Sequence, residues 1–297
     1  MTVSDTALNA LPPDKQLVVT AILAKLTAIA GVRAVVLGGS WAHGTQTSTS
    51  DIDLGLYYDE KAPFDIAAVR RVAAEVSVDG EPVVTEFYEW GAWVNGGAWI
   101  HTAGGKVDFL YRNLDQVRRV IAEARAGKTT LDYLQQPPYG FRSVIYLAET
   151  SICLPLYDPD HLIAELKQAV VDYPPKLKES VIQGNLWSVE FTLLHARTFA
   201  SRADVYNTVG CLTRALSALT QVLFALNETY FISDKRAIDT IETFGIRPED
   251  YRARVERILA HPGADVDALS QTVAALDELF RQVVDLAGAW YQPKYGL

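Results

Sequence analysis

The sequence predicts two domains: an α/β (α+β) domain over residues 1–113 and an all-α helical bundle over residues 114–297. Up to Asn113, short apolar runs with strand-like alternation are interleaved with helical stretches, whereas nearly every later segment has helical periodicity. A length of 297 residues also suits two cores of ordinary size better than one.

The first domain is predicted to alternate helices and strands. Its first helix follows Pro12-Pro13 with Asp14 as N-cap, and Gly31 ends it. The next strand runs directly into Gly38-Gly39-Ser40, and the glycine-rich segment 91–105 is predicted to turn between the last two strands. The predicted elements are helix 14–30, strand 32–37, strand 52–58, helix 65–76, strand 82–90 and strand 106–111.

The second domain is predicted to be helical throughout, with no convincing strand. Proline pairs at 137–138 and 174–175 mark loops, as does His-Pro-Gly at 261–263. The predicted helices are 115–126, 159–171, 177–201, 206–227, 248–259 and 265–290.

Composition restricts the class of protein. Hydrophobic residues make up 49% and charged residues 21%, as in ordinary globular proteins. Cys153 and Cys211 match no metal-ligand or redox spacing, which fits a reducing compartment. The N-terminal residues carry acid where a signal peptide is basic and then apolar, and the charge-free run 215–227 is too short to cross a bilayer. We therefore expect a cytoplasmic protein without a membrane role.

The net charge of −9 bears on the choice of partner. Nucleic-acid backbones are held mainly by clustered lysine and arginine, and the sequence has no basic block. This balance disfavours a broad nucleic-acid surface and suits a small cationic molecule.

Gly38, Gly39 and Ser40 are candidate phosphate-binding residues. A glycine pair lets backbone N–H groups approach an anion closely, and the serine adds a hydroxyl donor. The alternative is an ordinary turn between a strand and a helix.

Asp51 and Asp53 are candidate metal ligands. Residues i and i+2 of a strand point to one face, about 6–7 Å apart at a rise of about 3.3 Å per residue. Two carboxylates so placed repel each other unless a cation lies between them, and Mg²⁺ prefers such hard oxygen ligands. The alternative is a solvated face beside the loop 45–50.

Asp108 is the preferred third acid. It stands in an apolar strand whose residues Val107, Phe109 and Tyr111 face away from it, and an acid there is costly to bury without a partner. If this strand pairs beside strand 52–58, Asp108 converges with Asp51 and Asp53. Three carboxylates can hold two Mg²⁺ ions about 3.5–4 Å apart, and Asp108 is also a candidate general base. Rival third acids are Glu86 and Glu89.

This pattern resembles the signature of the DNA polymerase β-like nucleotidyltransferase superfamily, over roughly residues 32–111. The residues that carry the resemblance are Gly38–Ser40, Asp51–Asp53 and Asp108. With a helical second half, the chain resembles antibiotic (aminoglycoside-type) nucleotidyltransferases and uncharacterised bacterial relatives. The resemblance implies a small mixed sheet with helices packed on it, two divalent metals and a nucleoside triphosphate donor, for which we expect ATP. It also implies that Ser40 and Ser50 contact the triphosphate.

In the resembled family, the helical domain closes over the nucleotide and contributes to acceptor binding. Lys235 is a candidate triphosphate ligand or a solvated lysine at a helix start. Glu190 is a candidate acceptor ligand or base, or an acid partnered by Arg197. Trp93, which lies with Trp90 and Trp99 around the glycine-rich turn, is a stacking residue or a core residue. Glu86 completes the candidate substrate contacts.

The sequence therefore predicts a Mg²⁺-dependent enzyme that moves a nucleoside monophosphate from a nucleoside triphosphate to a hydroxyl of a small molecule, releasing pyrophosphate. One alternative is a toxin-type nucleotidyltransferase acting on tRNA or protein. Another is a nucleotide-binding protein without catalysis. Three candidate carboxylates in one pattern favour the enzyme.

Overall fold

The computed structural model of the protein describes residues 5–295 and divides into two compact units. The first, here called the sheet unit, consists of Met1–Ala122 and Tyr146–Asp172. The second, the helical unit, consists of Glu123–Ile145 and Tyr173–Leu297. Each unit thus takes two stretches of the chain, whereas the sequence predicts a single boundary after Asn113. The first four and last two residues of the predicted domains lie outside the described residues.

Strands and helices are numbered along the chain. The strands are β1 Ala34–Leu37, β2 Ile52–Tyr58, β3 Val83–Val84, β4 Gly97–Thr102, β5 Gly105–Asn113, β6 Leu131–Asp132, β7 Phe141–Arg142 and β8 Leu154–Tyr157. The helices are α1 Asp5–Leu8, α2 Pro13–Leu26, α3 Gly39–His43, α4 Ile66–Val76, α5 Leu114–Arg125, α6 Ile145–Ile152, α7 Leu162–Ala169, α8 Pro175–Ala200, α9 Val205–Leu226, α10 Ala237–Ile241, α11 Tyr251–Ala260 and α12 Val266–Ala287.

Within residues 5–295, the sheet unit is built on a six-stranded sheet in the order β3-β4-β5-β2-β1-β8. β2 and β5 run parallel, and every other neighbouring pair is antiparallel. The predicted mixed sheet is therefore confirmed. The pairing of β2 with β5 sets Asp53 beside Asp108, as the predicted site requires.

The core of the sheet unit follows from alternation along the strands. Ile52, Leu54 and Leu56 of β2 are fully buried in one apolar cluster with residues of α2 and α4. Removing such side chains from water stabilises the fold by roughly 1.5–3 kcal/mol each. The opposite face of β2 carries Asp53, so the core face fixes the direction in which the acid points.

Two predictions on the far side of the sheet were wrong. The segment predicted as a turn, 91–105, contains β4, and the segment predicted as a strand, 82–90, keeps only β3. A Cβ on Gly97 would lie 1.8 Å from the Phe109 carbonyl oxygen, so glycine here permits close strand approach and does not mark a turn. After β3, the Glu86 N–H donates to Glu89 Oε2 at 2.7 Å, in a turn that ends the strand.

Strands also occur beyond Leu114, where none was predicted. β8 joins the main sheet next to β1, and β6 pairs with β7 in a small hairpin of the helical unit. β8 contains Pro155, and proline lowers the predicted strand propensity of this segment. β8 lies at the edge of the sheet, where proline is tolerated.

The helical unit is organised around α8, α9 and α12, which pack against one another. Asp204 and Asp265 cap α9 and α12 by accepting from the backbone N–H groups of Asn207 and Ala268. Among the described residues, α9 alone is long and apolar enough to cross a bilayer, but 72% of its most apolar window is buried within the protein. Such burial is typical of a core helix, so this length and composition are weak grounds for a membrane span.

Candidate active site

The backbone after β1 is held against Asp53. The Gly38 N–H donates to the Asp53 carbonyl oxygen at 2.8 Å, and Gly39 follows with a φ of +58°. A Cβ on Gly39 would lie 1.8 Å from Asp53 Oδ2. Position 39 therefore requires glycine for two reasons: its backbone is in the left-handed conformation, and a Cβ would overlap the Asp53 carboxylate.

Three acids gather at one end of β2 and β5. Asp53 and Asp108 are register partners on parallel neighbouring strands, so their side chains share a face about 4.8 Å apart. Asp51 directly precedes β2 and lies on the same side. The expected pairing of the two strands is confirmed, and Asp108 is the acid that it brings to Asp53.

Lys106 also lies within this group of acids, although the sequence does not single it out as a site residue. Its Nζ is 2.7 Å from Asp51 Oδ2 and 3.3 Å from Asp108 Oδ2. Two residues before Asp108 on the same strand, it necessarily shares the face of that acid. The run Lys106-Val107-Asp108 places Lys106 on the same face as Asp108. Only the pairing of β5 with β2, however, brings Asp51 to that face as well.

The electrostatics of the group are unbalanced. Burial, followed by the neighbouring carboxylates Asp108 and Asp51, raises the pKa of Asp53 to about 6. Burial disfavours the charge of Lys106, but its hydrogen bond with Asp51 and the charge of Asp108 raise its pKa overall. The lysine therefore stays an ammonium ion, and three carboxylates face one positive charge.

The chemistry of the donor set suits a divalent metal, although the three carboxylates are not arranged around an ion position in this structure. The donor set consists of hard carboxylate oxygens, and an ammonium already bridges two of the acids, as expected of a cluster that needs a cation. Within residues 5–295, no group of three or more His, Cys, Asp or Glu side chains is arranged to hold an ion. The predicted metal ligands Asp51, Asp53 and Asp108 therefore stay predictions.

A cavity of about 40 Å³ lies beside Asp53 and Gly39 in the sheet unit. At about 10–15 Å³ per water, it holds only a few waters and is too small for a nucleobase. Its wall includes Arg112, which is buried and donates to both carboxylate oxygens of Glu149, at 2.8 Å each. Sequence reasoning missed this pair, because its members are 37 residues apart and only the fold brings them together.

The predicted phosphate ligands fall in three places. Ser40 lies in α3, next to Gly39. The Ser50 hydroxyl accepts from the Thr47 N–H at 2.8 Å and so takes part in the turn of its own loop. Lys235 is exposed in the helical unit, just before α10.

The structure places the rival acid Glu86 away from β2. It follows β3, which β4 and β5 separate from β2 in the sheet, and it forms an exposed ion pair with Arg70 at 3.2 Å. Glu89 belongs to the same turn. Trp93 is half-buried, with its ring 6.2 Å from that of Tyr146, whose hydroxyl donates to the Trp93 carbonyl.

Glu190 is a partnered acid, but Arg197 is not its partner. It is completely buried in α8 and accepts from the Tyr291 hydroxyl at 2.5 Å and from the backbone N–H groups of Lys294 and Tyr295. Arg197 pairs with Asp277 at 3.1 Å instead. Burial raises the pKa of Glu190, but these hydrogen bonds outweigh burial and lower the pKa overall.

Comparison with known protein families identifies the class of this domain. Residues 19–115 match the family model of the nucleotidyltransferase domain. This part of the chain is a nucleotidyltransferase domain of the DNA polymerase β-like superfamily, as the sequence resemblance implied, and the protein is a nucleotidyltransferase, an enzyme that transfers phosphorus-containing groups.

Individual relatives are distant. No curated protein gives a significant match. Among solved structures, the chain is similar to a nucleotidyltransferase-like protein from Exiguobacterium sibiricum, with 11% sequence identity and a TM-score of 0.48. That similarity covers 92% of this chain and 77% of the other.

Proposed function

We propose that the protein transfers a nucleoside monophosphate from a nucleoside triphosphate, with ATP as the expected donor, to a hydroxyl of a small molecule. The observation that carries this proposal is the register of β2 and β5, which sets Asp53 beside Asp108 while the Gly39 backbone packs on Asp53. A phosphate cradle and a carboxylate group in direct contact are what this transfer needs.

In this proposal Asp51, Asp53 and Asp108 hold Mg²⁺, and two ions are expected. Bound there, the metal would neutralise the triphosphate and favour ionisation of the acceptor hydroxyl. The other groups act directly. The Gly39 N–H and the Ser40 hydroxyl donate to phosphate oxygens, and Gly38, whose own N–H is bonded to the Asp53 carbonyl, lets the backbone pass close to them. Ser50 and Lys235 are further proposed contacts.

The reaction joins the acceptor oxygen to the α-phosphorus and breaks the bond from that phosphorus to the pyrophosphate oxygen. Asp108 is the proposed base that takes the hydroxyl proton, and pyrophosphate leaves. Alignment and charge neutralisation supply most of the rate enhancement in such transfers.

A small cationic acceptor of the aminoglycoside type suits the net charge of −9. Glu86 and Trp93 remain candidate acceptor contacts, since both are at least partly accessible. Glu190 is left out of this set, because hydroxyl and backbone donors occupy both of its oxygens.

A labelling experiment tests the proposal. The purified protein is incubated with Mg²⁺ and each α-labelled nucleoside triphosphate in parallel with an aminoglycoside panel, total tRNA or no acceptor. Pyrophosphate release and label transfer only with a small molecule support it. Label on tRNA or on the protein itself identifies a toxin-type activity, and nucleotide binding with no transfer to any acceptor identifies a binding protein; either result contradicts it.

A further inference from the structure

Lys106 occupies the space between two of the proposed metal ligands. Its ammonium is 2.7 Å from Asp51 Oδ2 and 3.3 Å from Asp108 Oδ2, so one cation bridges oxygens from two strands. Asp108 is mostly buried, with 13% of its side chain exposed, whereas Lys106 is 35% and Asp51 40% exposed. The lysine therefore enters the group from its solvent side.

An ammonium and a divalent metal compete for the same oxygens. Both are attracted by the carboxylates of Asp51 and Asp108, and neither oxygen can serve both cations at full strength. Lys106 also brings a positive charge that repels an incoming ion. Metal binding at these oxygens thus requires the ammonium to move.

The side chain is built for such a movement. A lysine carries a compact charge on a flexible four-carbon stem, so it can leave toward solvent without any change in the backbone. The Lys106 backbone stays fixed meanwhile, because it is paired with His101 in the β4–β5 ladder.

We propose that Lys106 is an internal cation that competes with the metal for Asp51 and Asp108, and so weakens the binding of free divalent ions in the absence of nucleotide. This inference deepens the proposed function and rests on its assignment of these acids as metal ligands. In this scheme Lys106 sets the metal affinity of the site, because its charge makes the site bind a divalent ion weakly when no nucleotide is present.

The test measures metal binding without substrate. Mn²⁺, which suits the same oxygen ligands as Mg²⁺, is titrated into the full chain, and bound ion is counted by electron paramagnetic resonance. Lys106→Met keeps the length of the side chain and removes the charge, and we expect it to bind Mn²⁺ about tenfold more tightly, equivalent to about 1.4 kcal/mol. Lys106→Arg keeps the charge and should resemble the wild type.

Matched controls separate this effect from a change in net charge. Lys25→Met removes a lysine from an exposed pair with Glu75 on α2 and α4 and should leave the Mn²⁺ affinity unchanged. Asp51→Asn added to Lys106→Met should remove the gain. Melting temperatures of all variants show that each is folded, and Lys106→Gln is a second neutral variant.

The outcomes distinguish the two proposals. Equal or weaker Mn²⁺ binding by folded Lys106→Met and Lys106→Gln, with a wild type that binds, overturns the role of Lys106 and leaves the metal site standing. No Mn²⁺ binding by the wild type or by either neutral variant overturns both the site and the role.

Discussion

Asp53 in the sheet unit and Glu190 in the helical unit are both acids withdrawn from water, and their environments shift their pKa values in opposite directions. Burial and two neighbouring carboxylates raise the pKa of Asp53. Glu190 is more completely buried, but a hydroxyl and two backbone N–H groups donate to it, and its pKa is lowered. Burial alone therefore does not decide the state of a carboxylate.

The difference indicates what each acid does. The hydrogen bonds of Glu190 attach the segment after α12 to α8, so its charge stabilises the fold. Asp53 is withdrawn from water and faces like charges, and this cost in stability agrees with its proposed role as a metal ligand. Replacing each acid by its amide should then have opposite consequences for activity and for stability.

The largest expected effect is the loss of activity in Asp53→Asn. An amide is a weaker metal ligand and lacks the charge, so turnover in the labelling assay should fall at least about a thousandfold. Unfolding in urea without added metal should show equal or higher stability, by about 1 kcal/mol, since the burial of the Asp53 charge and its repulsion by Asp108 and Asp51 are relieved.

Asp79→Asn is the matched control for this change, because Asp79 is 80% exposed in the same unit. It should leave both turnover and stability close to wild type. Substantial turnover by Asp53→Asn would place the active site elsewhere.

A smaller effect is expected when the backbone contact with Asp53 is disturbed. Gly39→Ala introduces a Cβ that overlaps the carboxylate, so Asp53 must shift, and turnover should fall about 10–100-fold. Gly44→Ala is matched in conformation, with a φ of +74° and open space around its Cβ position. Both variants lose roughly 1 kcal/mol of stability to the left-handed backbone, but only Gly39→Ala should lose activity. Equal turnover in the two would show that the contact has no catalytic role.

The parts of this site that the sequence predicts are those that local alternation determines. The predicted strand 52–58 has the bounds of β2, and alternation extended by one residue to Asp51 is enough to place Asp51 and Asp53 on one face. Asp108 follows from the same argument, as a lone acid in an apolar strand. What alternation cannot supply is the identity of neighbours across strands, and this is why the position of Lys106 between the acids was missed.

Long-range partners lie further beyond sequence reasoning. Arg197 is a reasonable partner for Glu190 because it is nearby on the same helix, but the actual donors come from residues 291–295, about 100 positions away in the chain. Strand β8 is hidden by Pro155, and β4 by a glycine that serves close packing. In each case a tertiary contact overrides a local signal.

Glu190→Gln tests whether the Glu190 charge stabilises the fold. The amide keeps the shape but loses the charge that three donors share, so the free energy of unfolding at pH 7 should fall by about 2 kcal/mol. Glu179→Gln is the control, because Glu179 lies exposed on the same helix and should change stability by less than about 0.5 kcal/mol. Turnover per folded molecule should be unchanged in both variants. A Glu190→Gln protein as stable as the wild type would mean that the charge contributes nothing to the fold.

The smallest expected effect is the pH dependence of the difference in free energy of unfolding between the wild type and Glu190→Gln. The folded-state pKa of Glu190 lies below its ordinary value of 4.5, so the folded protein binds fewer protons here than the unfolded chain. The stabilisation by the charge is therefore complete above about pH 4.5 and is lost as the pH falls through the folded-state pKa. Urea unfolding of wild type and Glu190→Gln between pH 7 and pH 3 should show a constant difference in free energy of unfolding down to about pH 5 and a shrinking difference below it. A difference that grows on acidification would mean that burial outweighs the hydrogen bonds. The pKa of Glu190 would then be raised in the folded protein, like that of Asp53.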